Sequence, residues 1–275
     1  MAVWATKLFY DLRNNELEKL IFTATTGRSG TTSLTALFAA VPGSVSYHEP
    51  YPIMNGEWLH KASYGEIAEV EAYFRKVKSI YIRRAAAGAR YYLEANHLFI
   101  KTFIAAALEE FGSKIEIIHL VRPAAEVAES IYRIRNWPGT ADGNKWWLDY
   151  RAPNNLIPVA DLLDADPALS HPFYKALWYW YEAEARIERW KLLCPAARFH
   201  RFETAWFNDF SRASALLDGL GVCYDSQTLK GLIGTKMNDI RAKNGKEGLS
   251  AEEICVMQAR FERVLASRNL LSAGA

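Results

Sequence analysis

The chain has 275 residues, of which half are hydrophobic and 23% charged, with a formal net charge of only +2. That length supports a well-buried core, and that composition argues against disorder. So small a charge excludes general nucleic-acid binding, and any anion site has to come from local placement of basic groups.

In chain order, the first twenty residues scatter charges among their apolar positions and hold no run of signal-peptide length. No later stretch approaches the ~18 apolar residues that a membrane span needs. Cys194, Cys223 and Cys255 show no C-x-x-C spacing, which points to free thiols in a reducing compartment and to no zinc site. A cytoplasmic protein without a membrane span is expected. Strand-length apolar runs fall at 20–25, 44–48, 97–102, 115–121 and 197–202, with helical periodicity between them at 31–40, 66–77, 104–111, 123–135 and 172–193. This alternation predicts an α/β fold with a mostly parallel central sheet covered by helices on both faces. Ligands on such sheets bind at the carboxyl ends of the strands. No internal repeat or low-complexity linker is visible, so one domain is expected over 1–275. A lid or insertion is expected at about 136–172, where Pro, Gly, Asn and Asp concentrate. From Ser250, with Glu253 three residues on, a capped amphipathic helix is expected.

The first run leads into "TTGRSGTTS" and then "LTALFAA". Laid over Thr25–Thr32, the pattern G-x-x-x-x-G-K-[ST] matches at Gly30, but Thr31 stands in the lysine's place and the basic residue is Arg28. Gly27 and Gly30 permit a tight turn that brings backbone N–H groups close to an anion. Thr26, Gly27, Arg28, Ser29, Gly30, Thr31, Thr32 and Ser33 are therefore the candidate phosphate-binding set. A cation before the glycine suits a phosphate held against the loop itself, whereas a γ-phosphate calls for the lysine after it. The fourth run continues as "VRPAAEVAESIYR". It places Arg122 at the strand's carboxyl end, Pro123 at the opening of a helix and Ser130 about two turns into it.

Together these two segments resemble the signature of sulfotransferases that use 3′-phosphoadenosine 5′-phosphosulfate (PAPS). In that family the first loop holds the 5′-phosphosulfate, and the second supplies an Arg and a Ser eight residues apart to the 3′-phosphate; Arg122 and Ser130 have that spacing. "RFETAW" at 201–206 is similar to a later segment of many members. "YHEPY" at 47–51 and "YLEANHLFIK" at 92–101 are similar to segments of the bacterial and carbohydrate-type branches. The resemblance touches most of the chain from 20 to 206. It implies a P-loop-like sulfotransferase fold, PAPS as donor co-substrate, no metal, and a small-molecule, lipid or saccharide acceptor with a hydroxyl or amine.

On this resemblance Arg28 clamps the 5′-phosphate that leaves, and Thr31 and Thr32 donate hydrogen bonds to it. Lys101, read as the end of the third strand, is a second cation for the bridging oxygen. Arg241, Lys243 and Lys246 are loosely similar to a basic, glycine-containing loop that closes over the 3′-phosphate. The general base stays open. Cytosolic members place a His after a K-T pair, where this chain has Phe103. Glu49 fits the carboxylate of bacterial and carbohydrate-acting relatives, His48 is its rival, and Glu94 and His97 are reserves. Strand neighbours point to opposite faces, so His48 and Glu49 are not expected to share a site, and a core-facing His48 is the plainer expectation. Phe103 also keeps in view a catalytically inactive nucleotide-binding or interaction protein. A small-molecule kinase with an atypical phosphate loop is disfavoured, because run 115–121 ends in Arg instead of a Mg²⁺-binding Asp. Trp137, Trp146, Trp147 and the aromatic run 178–181 are candidates for an acceptor pocket as well as for the core.

Overall fold

The structure is a computed structural model that describes residues 3–233 and 248–271. Five strands, β1 (Lys19–Ala24), β2 (Ser44–His48), β3 (Tyr91–Ala95), β4 (Ile115–Val121) and β5 (Arg198–Glu203), form an all-parallel sheet in the order β2-β3-β1-β4-β5. Period-two alternation divides the central strands between two cores. Leu20, Phe22, Tyr92, Ile115 and Ile117 pack on one face beneath helices Ala124–Arg133 and Pro172–Leu193. Ile21, Tyr91, Leu93, Ile118 and Leu120 pack on the other beneath helices Thr31–Leu37 and Phe210–Leu220. With both faces covered, the strands read as continuous apolar runs, as parallel sheets do.

One strand differs from expectation. The third is Tyr91–Ala95, and the run expected there, 97–102, instead enters a π-helical turn, Phe99–Phe103, that continues into helix Ile104–Phe111. Asn96 ends the strand. Its side-chain oxygen accepts from the Leu98 N–H at 2.9 Å, turning the chain, while its own N–H donates to Thr23 Oγ1 at 2.8 Å. Leu98, Phe99, Ile100, Phe103 and Ile104 are all buried, and a short buried apolar run does not by itself distinguish strand from helix. Phe103 stacks on Phe74 and meets Phe22 and Phe99 edge-on, so it is a core side chain.

Segment 136–172 carries short helices at Gly143–Trp146 and Ala160–Ala165, and it contributes Trp147, Leu148, Tyr150, Ile157 and Val159 to the core. Its anchor is Glu182, fully buried on helix Pro172–Leu193. That carboxylate accepts from the Leu156 and Ile157 N–H groups at 3.1 and 2.8 Å and from Arg186 Nε at 2.6 Å. All four aromatics of 178–181 are buried. Helix Ala251–Ser267 opens on the expected capping box of Ser250 and Glu253. Among the described residues no helix is long and apolar enough to cross a membrane.

Candidate active site

β1 and β4 are neighbours, but the chain leaves β1 for one edge of the sheet and β4 for the other. The crevice between their carboxyl ends is therefore a topological switch point, where open α/β sheets bind ligands. The loop after β1 and Arg122 after β4 meet there.

Three residues of that loop adopt the left-handed region: Gly27 (φ 80°), Arg28 (φ 56°) and Gly30 (φ 85°). For Arg28, which has a Cβ, this conformation costs about 1–2 kcal/mol. Gly27 is required twice over, because a Cβ there would lie 3.0 Å from Cγ of His97 and 3.2 Å from the Trp147 ring. The Thr26 and Ser29 hydroxyls are buried and lie 2.8 Å apart, and Ser29 Oγ donates to the Gly27 carbonyl at 3.0 Å. These two side chains shape the loop from inside. Thr25 Oγ1 donates to the Leu120 carbonyl at 2.8 Å, tying the loop to β4. Beyond β5, the Thr204 hydroxyl lies 3.0 Å from both the Ser29 and Val121 carbonyl oxygens.

The basic groups converge on this frame. Arg28 Nε donates to Ser130 Oγ at 3.1 Å, and Arg122 Nη1 donates to the Arg28 carbonyl at 2.8 Å. Burial, then the neighbouring Arg122, pushes the Arg28 pKa down while Glu49 opposes, and a guanidinium keeps its charge through such a shift. Pro123 stands at the N-cap position, one residue before helix Ala124–Arg133, and makes no side-chain cap bond. Thr31 opens helix Thr31–Leu37, with Thr32 and Ser33 half-buried in its first turn.

The second wall comes from β2 and β3. Glu49 lies just past β2 with φ 47°, and this turn breaks the strand alternation. His48 and Glu49 consequently do not separate as expected: His48 Nε2 lies 3.9 Å from Glu49 Oε1 and 2.9 Å from Thr31 Oγ1, and the His48 side chain is 39% exposed instead of facing the core. His97 Nε2 lies 3.3 Å from the same Glu49 oxygen. Burial raises the Glu49 pKa above the ordinary carboxylate range, against the pull of His48, Lys101 and Arg28.

Lys101 does not stand at a strand end. It lies in the buried turn Phe99–Phe103, where its ammonium meets His97 Nδ1, Tyr179 Oη at 2.8 Å and the Trp146 carbonyl at 3.2 Å. Burial draws its pKa well below that of an ordinary lysine. The Tyr179 hydroxyl in turn donates to the Thr26 carbonyl. Tyr179 was hidden in the sequence by its three aromatic neighbours. Glu94 is not near solvent: it is fully buried, paired with Lys78 at 2.8 Å, and accepts from Tyr92 Oη at 2.7 Å and Asn96 Nδ2 at 2.8 Å. From Glu49 the chain runs through Pro50 and Tyr51 into the wall of a cleft of about 360 Å³, lined also by Tyr47, Tyr81, Lys78 and Arg84. Arg241, Lys243 and Lys246 lie outside the described residues.

Among solved structures, the chain is similar to the sulfotransferase domain from the curacin biosynthetic pathway, with a TM-score of 0.51 over 92% of this chain and 98% of that one, at 15% identity. The fold is that of a sulfotransferase domain. The sulfotransferase domain from the Synechococcus PCC 7002 olefin synthase aligns at a TM-score of 0.49 over 90% of this chain and 94% of that one, at 16% identity. No protein-family model matches the chain, and no curated protein matches it at a significant level. On this sulfotransferase fold, the two basic segments occupy the switch-point crevice and Glu49 stands across from Arg28.

Proposed function

We propose that the chain is a PAPS-dependent sulfotransferase acting on a hydroxyl or amine of a small-molecule, lipid or saccharide acceptor. One observation carries this reading. Arg28 in the loop after β1 is joined by direct hydrogen bonds to Arg122, at the end of β4, and to Ser130, on the helix that follows it, across the β1–β4 crevice. A loop with successive left-handed residues turns N–H groups toward an anion, and two separate cation-bearing segments suit a ligand with two anionic groups.

The donor supplies the sulfuryl group and a bisphosphate leaving group. Arg28 and the loop amides neutralise the 5′-phosphate as charge builds on it, with Thr32 able to add a hydroxyl donor from the first helical turn. Arg122 and Ser130 hold the 3′-phosphate. Glu49 takes the acceptor's proton as the acceptor oxygen or nitrogen bonds to sulfur and the sulfur–oxygen bond to the 5′-phosphate breaks. Packing in the core accounts for Phe103, so its presence does not argue for an inactive protein.

Binding tests the reading directly. The bisphosphate 3′-phosphoadenosine 5′-phosphate should raise the melting temperature, and ATP with Mg²⁺ should do so much less; equal stabilisation by both overturns it. Arg122→Ala should weaken the bisphosphate by about tenfold or more while sparing adenosine 5′-monophosphate, since charged hydrogen bonds contribute about 1.5–3 kcal/mol each.

Glu49→Gln should lower turnover by about 10²–10⁴-fold with bisphosphate affinity unchanged. Because the folded pKa of Glu49 is raised, the protonated form is favoured by folding. Its contribution to stability is therefore present below the unfolded carboxyl pKa and lost as pH rises through the folded value. Glu49→Gln should accordingly melt higher than the parent at neutral pH, and the parent's turnover should be lost as pH falls through the raised Glu49 value, at a higher pH than for an ordinary carboxylate base.

A further inference from the structure

We infer that Tyr179, Lys101 and His97 form a one-directional hydrogen-bond chain that positions Glu49, and that Lys101 sets the tautomer of His97 instead of touching the donor. This rests on Glu49 being the base of the proposed reaction.

The direction follows from what each atom can do. The Thr26 carbonyl only accepts, so the Tyr179 proton is committed to it, and Tyr179 Oη accepts from Lys101 at 2.8 Å. A second Lys101 proton goes to His97 Nδ1 and a third to the Trp146 carbonyl at 3.2 Å. In the ammonium form, which Glu49 favours against burial, all three donors are engaged. The group is also 4% exposed and roofed by the rings of Tyr179 and Trp147, with its nitrogen 5.0 and 5.8 Å from their centroids. No proton is left for a phosphate.

With Nδ1 accepting, the His97 proton resides on Nε2, which lies 3.3 Å from Glu49 Oε1, a close polar contact without the alignment of a full hydrogen bond. Burial, Lys101, His48 and Arg28 all oppose a positive charge on this ring, so it is a neutral donor. The charged groups acting on Glu49 from the surrounding elements are His48 at the end of β2, Arg28 in the loop, Lys101 in the buried turn and Glu94 in β3. Gly27 brings the donor loop onto the face of the same imidazole. His97 thus sets its N–H dipole beside one carboxylate oxygen and leaves the other for the acceptor's proton. Since Nδ1 carries no proton, His97 is a positioning residue and does not relay one.

Nuclear magnetic resonance of the whole chain with ¹⁵N-labelled histidine reads the tautomer without an acceptor. At pH 7, His97 Nδ1 should appear as the unprotonated nitrogen and Nε2 as the protonated one. Lys101→Met should release this preference into a mixture while leaving 3′-phosphoadenosine 5′-phosphate affinity within about threefold. His97→Asn, which keeps an acceptor near Lys101 but loses the Nε2 donor, should raise the Glu49 pKa further in a ¹³C carboxyl titration, because the N–H dipole beside the charged form is removed. A protonated Nδ1 or an imidazolium in the parent protein overturns the inference. So does an unaltered tautomer or a tenfold loss of bisphosphate affinity in Lys101→Met, or an unmoved Glu49 titration in His97→Asn. The parent spectrum needs no variant to fold. Failure of the parent to bind the bisphosphate would count against the proposed function and leave the tautomer result intact.

Discussion

Replacing Arg28 with alanine is expected to lower the single-turnover release of 3′-phosphoadenosine 5′-phosphate from the donor by about 10²–10³-fold, the usual loss when a group stabilising developing charge is removed. The side chain is the only described cation seated within the turn between Gly27 and Gly30, and it reaches across to Ser130. Its backbone is strained at φ 56°, and non-glycine residues held in this region concentrate at functional sites. Two substitutions separate the side chain from the strain. Arg28→Gly relieves the backbone and should be more stable than Arg28→Ala by up to about 1 kcal/mol, yet equally slow. Recovery of turnover in Arg28→Gly would show that loop shape, and not the guanidinium, carries the effect.

The second large effect is on stability. Glu94→Ala should cost about 3–5 kcal/mol, because it strands the Lys78 ammonium in the core without its counter-charge. Lys78 is 1% exposed, and its remaining contacts are the Pro50 carbonyl at 3.0 Å and the Phe103 ring at 5.6 Å. Glu94→Leu combined with Lys78→Met removes both charges and should regain at least half of the loss, read from urea midpoints. The pair also decides a catalytic question. Were Glu94 a base, Glu94→Gln would abolish turnover with bisphosphate binding and turnover-independent stability both unchanged, whereas a core role makes loss of stability its first consequence.

The strand-and-helix alternation and the two basic segments were legible in the sequence because each depends on local chemistry: continuous apolar strands, small residues at a strand-to-helix turn, an Arg at a strand end. The third strand was not legible. "YYLEA" carries Glu94 next to its end, whereas "HLFIK" holds an unbroken apolar stretch at Leu98–Ile100, so hydrophobicity favours the wrong one. Pairing of Glu94 with Lys78, an element away, together with Tyr92 and Asn96, is what lets the first lie buried. His48 and Glu49 were misread together, because alternation holds only while the chain stays extended and Glu49 leaves the strand at φ 47°. Lys101 looked like a strand-end cation for the same reason that the strand was misplaced. Tyr179 carries no local mark at all, since its partners come from residues 26 and 101.

Thr204 gives the crevice a property that neither loop has alone. Its hydroxyl lies between the backbones of both, its single proton shared between the Ser29 and Val121 carbonyls, so the two cation-bearing segments meet at one post. On the proposed function such a crevice acts as a gauge: a ligand is graded by the span between its two anionic ends, and an isomer with its second phosphate on the neighbouring ribose oxygen is expected to bind more weakly than 3′-phosphoadenosine 5′-phosphate.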